Sequence, residues 1–287
     1  MLNEYSHLRR VAVRHPRDLF RDQAYCHQHW TAHDFIGEPD VRRAVDQYER
    51  FIEALTSLGA EAVWFDADAR FSLASIYTRD SSVRTPDGML PTRMANDYRG
   101  AEPSVDAEVY GRAGYPTLPG ITAPGTLEGG DVCWLHDTLC AIGEGYRTNG
   151  EGIRQFHQSL PDDVQLVVMQ TPYFRGPGEC LHLMSMLSPV DSDLAVVYAP
   201  PMSVRFHRWL QESLGMRFIH VPDDEFDAQG ANVLAIAPRT VLLCEGCPVT
   251  QRKLEAEGCD VITYPAHDIC VLGVGGPTCL TQPLERG

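Results

Sequence analysis

A chain of 287 residues, 44% of them hydrophobic, holds enough apolar material for a sizeable core, which weighs against disorder. A formal charge of −15 argues against coating nucleic acid or an anionic membrane, since both need a basic face, and it welcomes a small cation instead. Nine cysteines, an odd number scattered along the chain, speak against a disulfide framework and for a reducing compartment, and no apolar run is long enough to span a bilayer, so a cytoplasmic protein is expected.

Taken in chain order, the predicted elements repeat. Val11 to Val13 and Pro16 precede a helical pattern over 41–58 and a strand over 62–65, and the stretch from Val83 to about Ala123 reads as a degenerate copy. Three clearer copies follow. A strand from Leu139 leads to a helix over 152–160 and a strand over 164–169. A strand over 194–198 leads through two prolines to a helix over 203–214 and a strand over 218–221. A strand over 241–244 leads through Pro248 to a helix over 250–257 and a strand over 261–264. Each unit is too small to close a core alone, and four or five fall short of the eight of a barrel. Radial repetition about a centre within one α/β domain, residues 1–287, is therefore expected.

Gly/Pro-rich stretches at 117–125, 174–179 and 273–277 separate the units, and loops of that kind on a rigid scaffold are where chemistry is carried. Asp80, which follows an apolar strand-like run and stands beside Arg79, reads either as half of a structural ion pair or as a carboxylate gripping a guanidinium through paired hydrogen bonds. In Leu127-Glu-Gly-Gly-Asp-Val132, two glycines separate Glu128 from Asp131 at the start of an apolar run. Asp131 can close a turn on its own backbone, but the pattern favours carboxylates presented to a cationic ligand. His182 lies in an apolar run over 179–187 that resembles a buried strand, and reads either as hydrogen-bonded filler or as a general acid/base. Cys279 follows Gly275-Gly-Pro-Thr278, a turn that can surround a sulfur with backbone N–H groups and favour the thiolate; taken alone, any one of nine cysteines reads as a small buried hydrophobe. Cys244 and Cys247 form a lone C-x-x-C, and neither a phosphate loop nor a dinucleotide fingerprint occurs, so no metal and no organic cofactor are expected.

Six segments together resemble the guanidine-modifying penteins, which include arginine deiminase, dimethylarginine dimethylaminohydrolase and the amidinotransferases. They are Thr78-Arg-Asp80, Leu127-Glu-Gly-Gly-Asp-Val132, Gly145-Tyr-Arg-Thr-Asn149, Leu181-His-Leu183, Asn232-Val-Leu-Ala235 and Gly275-Gly-Pro-Thr-Cys279, in the family's order. The resemblance implies a five-bladed α/β propeller of ββαβ repeats with the active site at its centre, and it leaves a homodimer open. It implies Cys279 as nucleophile, His182 as general acid/base, and Asp80 and Glu128 as guanidinium-binding carboxylates. It also implies Arg147, and less directly Arg99, as holders of a substrate carboxylate, with Asp131 and Arg79 at the substrate's edge. Met184 stands where deiminases carry a second aspartate, and Ala74 where relatives carry Asn or Asp near the amino-acid end of the substrate, so an altered or N-substituted guanidine is expected rather than arginine. Hydrolysis through a covalent thiouronium is the expected reaction, with transfer to an acceptor amine, a non-catalytic binding protein and a metal-dependent amidohydrolase as alternatives.

Overall fold

The computed structural model describes residues 1–176 and 181–287. The Gly/Pro-rich stretch at 174–179 and the run entering His182 therefore fall partly outside the described residues. Five small sheets make up the mixed α/β fold. In three of them a hairpin is followed by a helix and a parallel third strand. Val132–His136 pairs antiparallel with Leu139–Glu144, which after helix Gly150–Gln158 receives Gln165–Gln170 in parallel. The same order recurs in Leu187–Asp191, Leu194–Val197 and Arg217–His220, and again in Leu234–Ala237, Thr240–Cys244 and Asp260–Tyr264. The helix predicted over 203–214 is α-helical at Val204–Arg208 and widens to a π-helical turn at Trp209–Ser213.

The amino-terminal copy borrows its hairpin partner from the far end of the sequence. Leu8–Val13 lies between Gln282–Arg286, antiparallel, and Glu61–Trp64, parallel. Its connecting helix, Val41–Ser57, starts at Asp40, whose side chain accepts from the Arg43 N–H, and buries Ala44, Tyr48, Phe51 and Leu55 at helical spacing. The degenerate copy has a hairpin, Ser82–Thr85 with Gly88–Pro91, and a helix, Glu102–Arg112, but its third strand is reduced to a single parallel bridge between Met89 and Thr117.

Two local expectations are corrected. The run before Asp80 is a 3-10 turn, Leu73–Ile76, and not a strand; Ser72 caps it by exchanging hydrogen bonds with Ser75. His182 is not inside a strand either. It caps the 3-10 turn Leu183–Ser185, and the strand starts only at Leu187. A residue at the entry of a short turn aims its side chain independently of a sheet's alternation, which frees His182 to face a cavity.

Candidate active site

Three loops are tied to one another by backbone. The Arg79 N–H donates to the Cys279 carbonyl at 3.1 Å, and the Gly129 N–H donates to the Asp80 carbonyl at 3.1 Å. Asp131 adds a fourth segment, because its Oδ1 accepts the Leu183 N–H at 3.0 Å. These bonds fix Asp80, Glu128, His182 and Cys279, distant in sequence, around one centre. The glycines between them are there for closeness. A Cβ on Gly129 would lie 2.1 Å from the Arg79 carbonyl oxygen, and one on Gly130 would lie 2.5 Å from Nδ1 of His182. Likewise a Cβ on Gly275 would meet the Tyr77 ring at 2.7 Å, and one on Gly276 the Asn232 side chain at 2.6 Å.

A cavity opens at this centre, lined among others by Ala74, Asp80, Arg99, Arg147, His182 and Cys279. Of the sequence-predicted residues, five thus share one space. Cys279 is half-buried, and the Asn232 amide Nδ2 lies 3.1 Å from its Sγ while the Asn232 Oδ1 accepts the Thr278 N–H at 2.9 Å. An amide donor held against sulfur stabilises the thiolate. The His182 ring sits between two carboxylates, with Nε2 2.9 Å from Glu128 Oε2 and Nδ1 3.8 Å from Asp80 Oδ1. Negative charge on both sides of the ring suits the imidazolium, the form that can give a proton away.

Glu128 is fully buried, behind His182 and Arg147 and outside the cavity lining. Burial alone would push its carboxyl up, but the His182 hydrogen bond and the charges of Arg147, His182 and Arg99 outweigh that and hold it well below the usual carboxylate range. Asp80 is 3% exposed; its Oδ2 accepts from Arg99 at 2.7 Å and its Oδ1 from the Gly130 N–H at 3.2 Å.

Three further residues assigned to the substrate from sequence have partners within the protein. The Arg79 guanidinium turns away from the cavity, donating to Glu4 at 2.6 Å with the Met184 sulfur 3.0 Å from it, because Glu4 is the buried carboxylate within its reach. Arg99 lines the cavity, yet its donors go to Asp80, to both oxygens of Glu102 and to the Tyr77 carbonyl, so it holds Asp80 instead of reaching for a ligand. Asp131 is a buried brace for Leu183. Burial raises its pKa to about 6, against the lowering effects of the His182 charge and of bonds from Thr148 and Leu183.

Arg147 is the guanidinium facing the outer part of the cavity, 3.4 Å from Glu128 and 3.8 Å from Asp34. Sequence reading missed its surroundings. Asp34, just after the 3-10 turn Thr31–His33, accepts from the Tyr98 hydroxyl at 2.6 Å and from Asn96 at 2.8 Å, and His33, Asp34, Ile36 and Tyr98 form the outer wall. No motif marks these residues. Asn232 stood within a matched segment, but nothing in the sequence told that it would reach the sulfur. Asp80, Glu128 and His182 each offer an atom able to ligate a metal, all within 4.8 Å of one another. Arg99 and Arg147 already balance the two carboxylates, which weighs against a divalent ion in the trio.

A model of the arginine deiminase family matches residues 74–213 and 199–286. The uncharacterized protein YkgA of Bacillus subtilis is 26% identical over 270 residues, which cover 91% of this chain and 90% of that protein. The arginine deiminase of Mycobacterium avium is 29% identical over 247 residues, covering 74% of this chain but 60% of that enzyme, so the match spans less than two thirds of its length. Among solved structures, a citrulline complex of a mutant DDAH from Pseudomonas aeruginosa superposes with a TM-score of 0.77 at 24% identity, covering 97% of this chain and 100% of that one. SxtG, an amidinotransferase from Microseira wollei, superposes with a TM-score of 0.78 at 17% identity, covering 100% of this chain and 96% of that one. At these identities the two structures establish likeness of fold. Among the described residues no helix is long and apolar enough to cross a membrane.

Proposed function

The chain belongs to the arginine deiminase family, within the guanidine-modifying penteins, and from that premise we propose that it is a cysteine-dependent hydrolase of a substituted guanidine carrying a carboxylate. Membership supports guanidino-group hydrolysis or transfer. The observation that carries the finer reading is the one cavity lined by Cys279, His182, Asp80 and Arg147, with Arg147 reaching toward Asp34 in the same lining. On this reading the five sheets are the blades of a propeller around that cavity.

A guanidinium carbon is a poor electrophile because its charge is spread over three nitrogens, and thiolate is the common side chain nucleophilic enough to attack it near neutral pH. Asp80 fixes the plane of the cation by charge-assisted hydrogen bonds. The Cys279 sulfur adds to the carbon, His182 gives its proton to one nitrogen, and that C–N bond breaks to release an amine and leave a thiouronium on sulfur. His182, now neutral, takes a proton from water as the oxygen attacks the same carbon. The C–S bond then breaks, returning the thiolate, and the hydroxyl proton of the adduct passes to the released amine, so that guanidinium and water become a ureido product and a protonated amine. Glu128 balances the imidazolium through the cycle, and Arg147 receives the substrate's carboxylate. Met184, at the position of the deiminases' second aspartate, supports a substituted nitrogen over free arginine, and the Ala74 methyl in the cavity lining supports an amino-acid end unlike that of arginine.

The test is incubation of the protein, and of Cys279→Ser, with arginine, methylated arginines, agmatine and simple guanidino acids, with and without added amines, read by mass spectrometry. Amine release with a ureido product, a covalent adduct on Cys279 and loss of both in Cys279→Ser are expected. Product formed only when an acceptor amine is present would replace hydrolysis by amidino transfer. Retained turnover in Cys279→Ser, or no product and no adduct from any compound, would overturn the proposal.

A further inference from the structure

Arg79 and Asp80 are neighbours that serve different spaces. Asp80 lines the candidate active site, whereas Arg79 lines a second cavity with Glu4, Arg84, Trp134, Gln282 and Arg286, and the two cavities share no lining residue. The second holds about 30 Å³ open to a body the size of water, room for one or two such bodies.

Its charges do not balance. Arg79 and Arg286 are each 5% exposed, and Glu4, equally buried, is bound to Arg79 at 2.6 Å. Arg84 has carboxylates of its own nearby, Glu285 and Asp137. Arg286 makes no ion pair among the described residues and feels Glu4 only as a charge already bound to Arg79. Its Nη1 donates to the carbonyls of Ser6 at 2.6 Å and Ala235 at 2.9 Å, but its Nε and Nη2 find no partner among the described residues. A buried guanidinium with unmet donors is costly unless something negative or polar answers it. Burial, together with the like charges of Arg79 and Arg84 and against the pull of Glu4, accordingly lowers its pKa to about 10.

We infer that this cavity is a binding site for one small monovalent inorganic anion of chloride size, held by the Arg286 guanidinium with Arg79 beside it. A halide needs only donors converging on one point, and the space admits one or two bodies of about that size. The site is independent of what the Cys279 cavity does.

Thermal unfolding of the full chain in potassium chloride and in potassium gluconate at matched ionic strength tests this, because gluconate is too large to enter. Saturable stabilisation by chloride and by bromide, about 5 °C at saturation, is expected, and Arg286→Gln should abolish the difference between salts. Crystals soaked in sodium bromide should carry an anomalous peak beside Arg286, a readout that stands even if Arg286→Gln fails to fold. Equal midpoints in chloride and gluconate, or a soaked crystal with water alone in the cavity, would overturn the inference.

Discussion

Replacing Gly130 by alanine presses on the placement of His182, and on Asp80 beside it, without adding an atom next to Cys279. The added Cβ would lie 2.5 Å from Nδ1 of His182, 2.8 Å from its Cγ and 2.9 Å from Asp80 Oδ1. Ordinary contact starts near 3.4 Å, so the ring must retreat by roughly 0.9 Å, away from Asp80 and against the 2.9 Å bond to Glu128. A misplacement of about 1 Å in a catalytic group costs on the order of 100-fold in rate. Gly130→Ala should therefore lower turnover of the best guanidine in the panel about 100-fold while Cys279 remains reactive toward iodoacetamide. Gly111→Ala is the control: Gly111 lies in helix Glu102–Arg112 with nothing within 4 Å of its Cβ position. It should keep full activity and gain about 0.5–1 kcal/mol of stability. Turnover of Gly130→Ala within threefold of the parent, measured on protein with an unchanged unfolding midpoint, would refute the claim that His182 acts from its observed position.

Asp131 gives a pH signature. Its pKa is raised from 3.8 to about 6 by burial, so the folded state holds the proton more tightly than the unfolded one. The associated stability is complete below pH 3.8 and is lost as pH rises through about 6. Asp131→Asn, which keeps an oxygen for the Leu183 N–H, should be more stable than the parent by up to about 3 kcal/mol at pH 7.5 and no more stable at pH 3.5, as read by urea unfolding. The same difference at both pH values would contradict the sign. For Asn232→Ala, loss of a donor to a charged sulfur, worth about 1.5–3 kcal/mol, should slow carboxymethylation of Cys279 at pH 7 at least tenfold. Labelling at the parental rate would remove Asn232 from the site.

The sequence carried the repeat because alternation and helical periodicity survive in each unit, and strands predicted to start at 139, 194 and 241 start at Leu139, Leu194 and Thr240. What it hid was pairing between distant segments. Nothing local marks Gln282–Arg286 as the partner of Leu8–Val13, and the missing third strand of the degenerate copy depends on packing, not on composition. The site followed the same division. Glu128, Arg147 and Cys279 stand in short segments whose glycines are demanded by close approach, and that leaves a mark in the sequence. The partners of Arg79 and Arg99 were not legible, because the destination of a long cation is decided by which buried carboxylate lies nearest, Glu4 for one and Glu102 with Asp80 for the other. Asp34 and Tyr98 carry no pattern at all; they matter only because the loop after helix Gln23–His29 folds back over Arg147.

The pairing of Leu8–Val13 with Gln282–Arg286 also dictates a schedule. During synthesis the first strand can gain its parallel neighbour, Glu61–Trp64, early, but its other edge stays open until residue 286 has been made. Cys279 stands three residues before that last strand, and the carbonyl of Cys279 is what the Arg79 N–H awaits. A growing chain therefore carries Asp80, Glu128, Arg147 and His182 long before it carries Cys279. Pairing Leu8–Val13 with Gln282–Arg286 is a long-range closure, slow by nature, and it makes Cys279 the last of the candidate-site residues to be set in place.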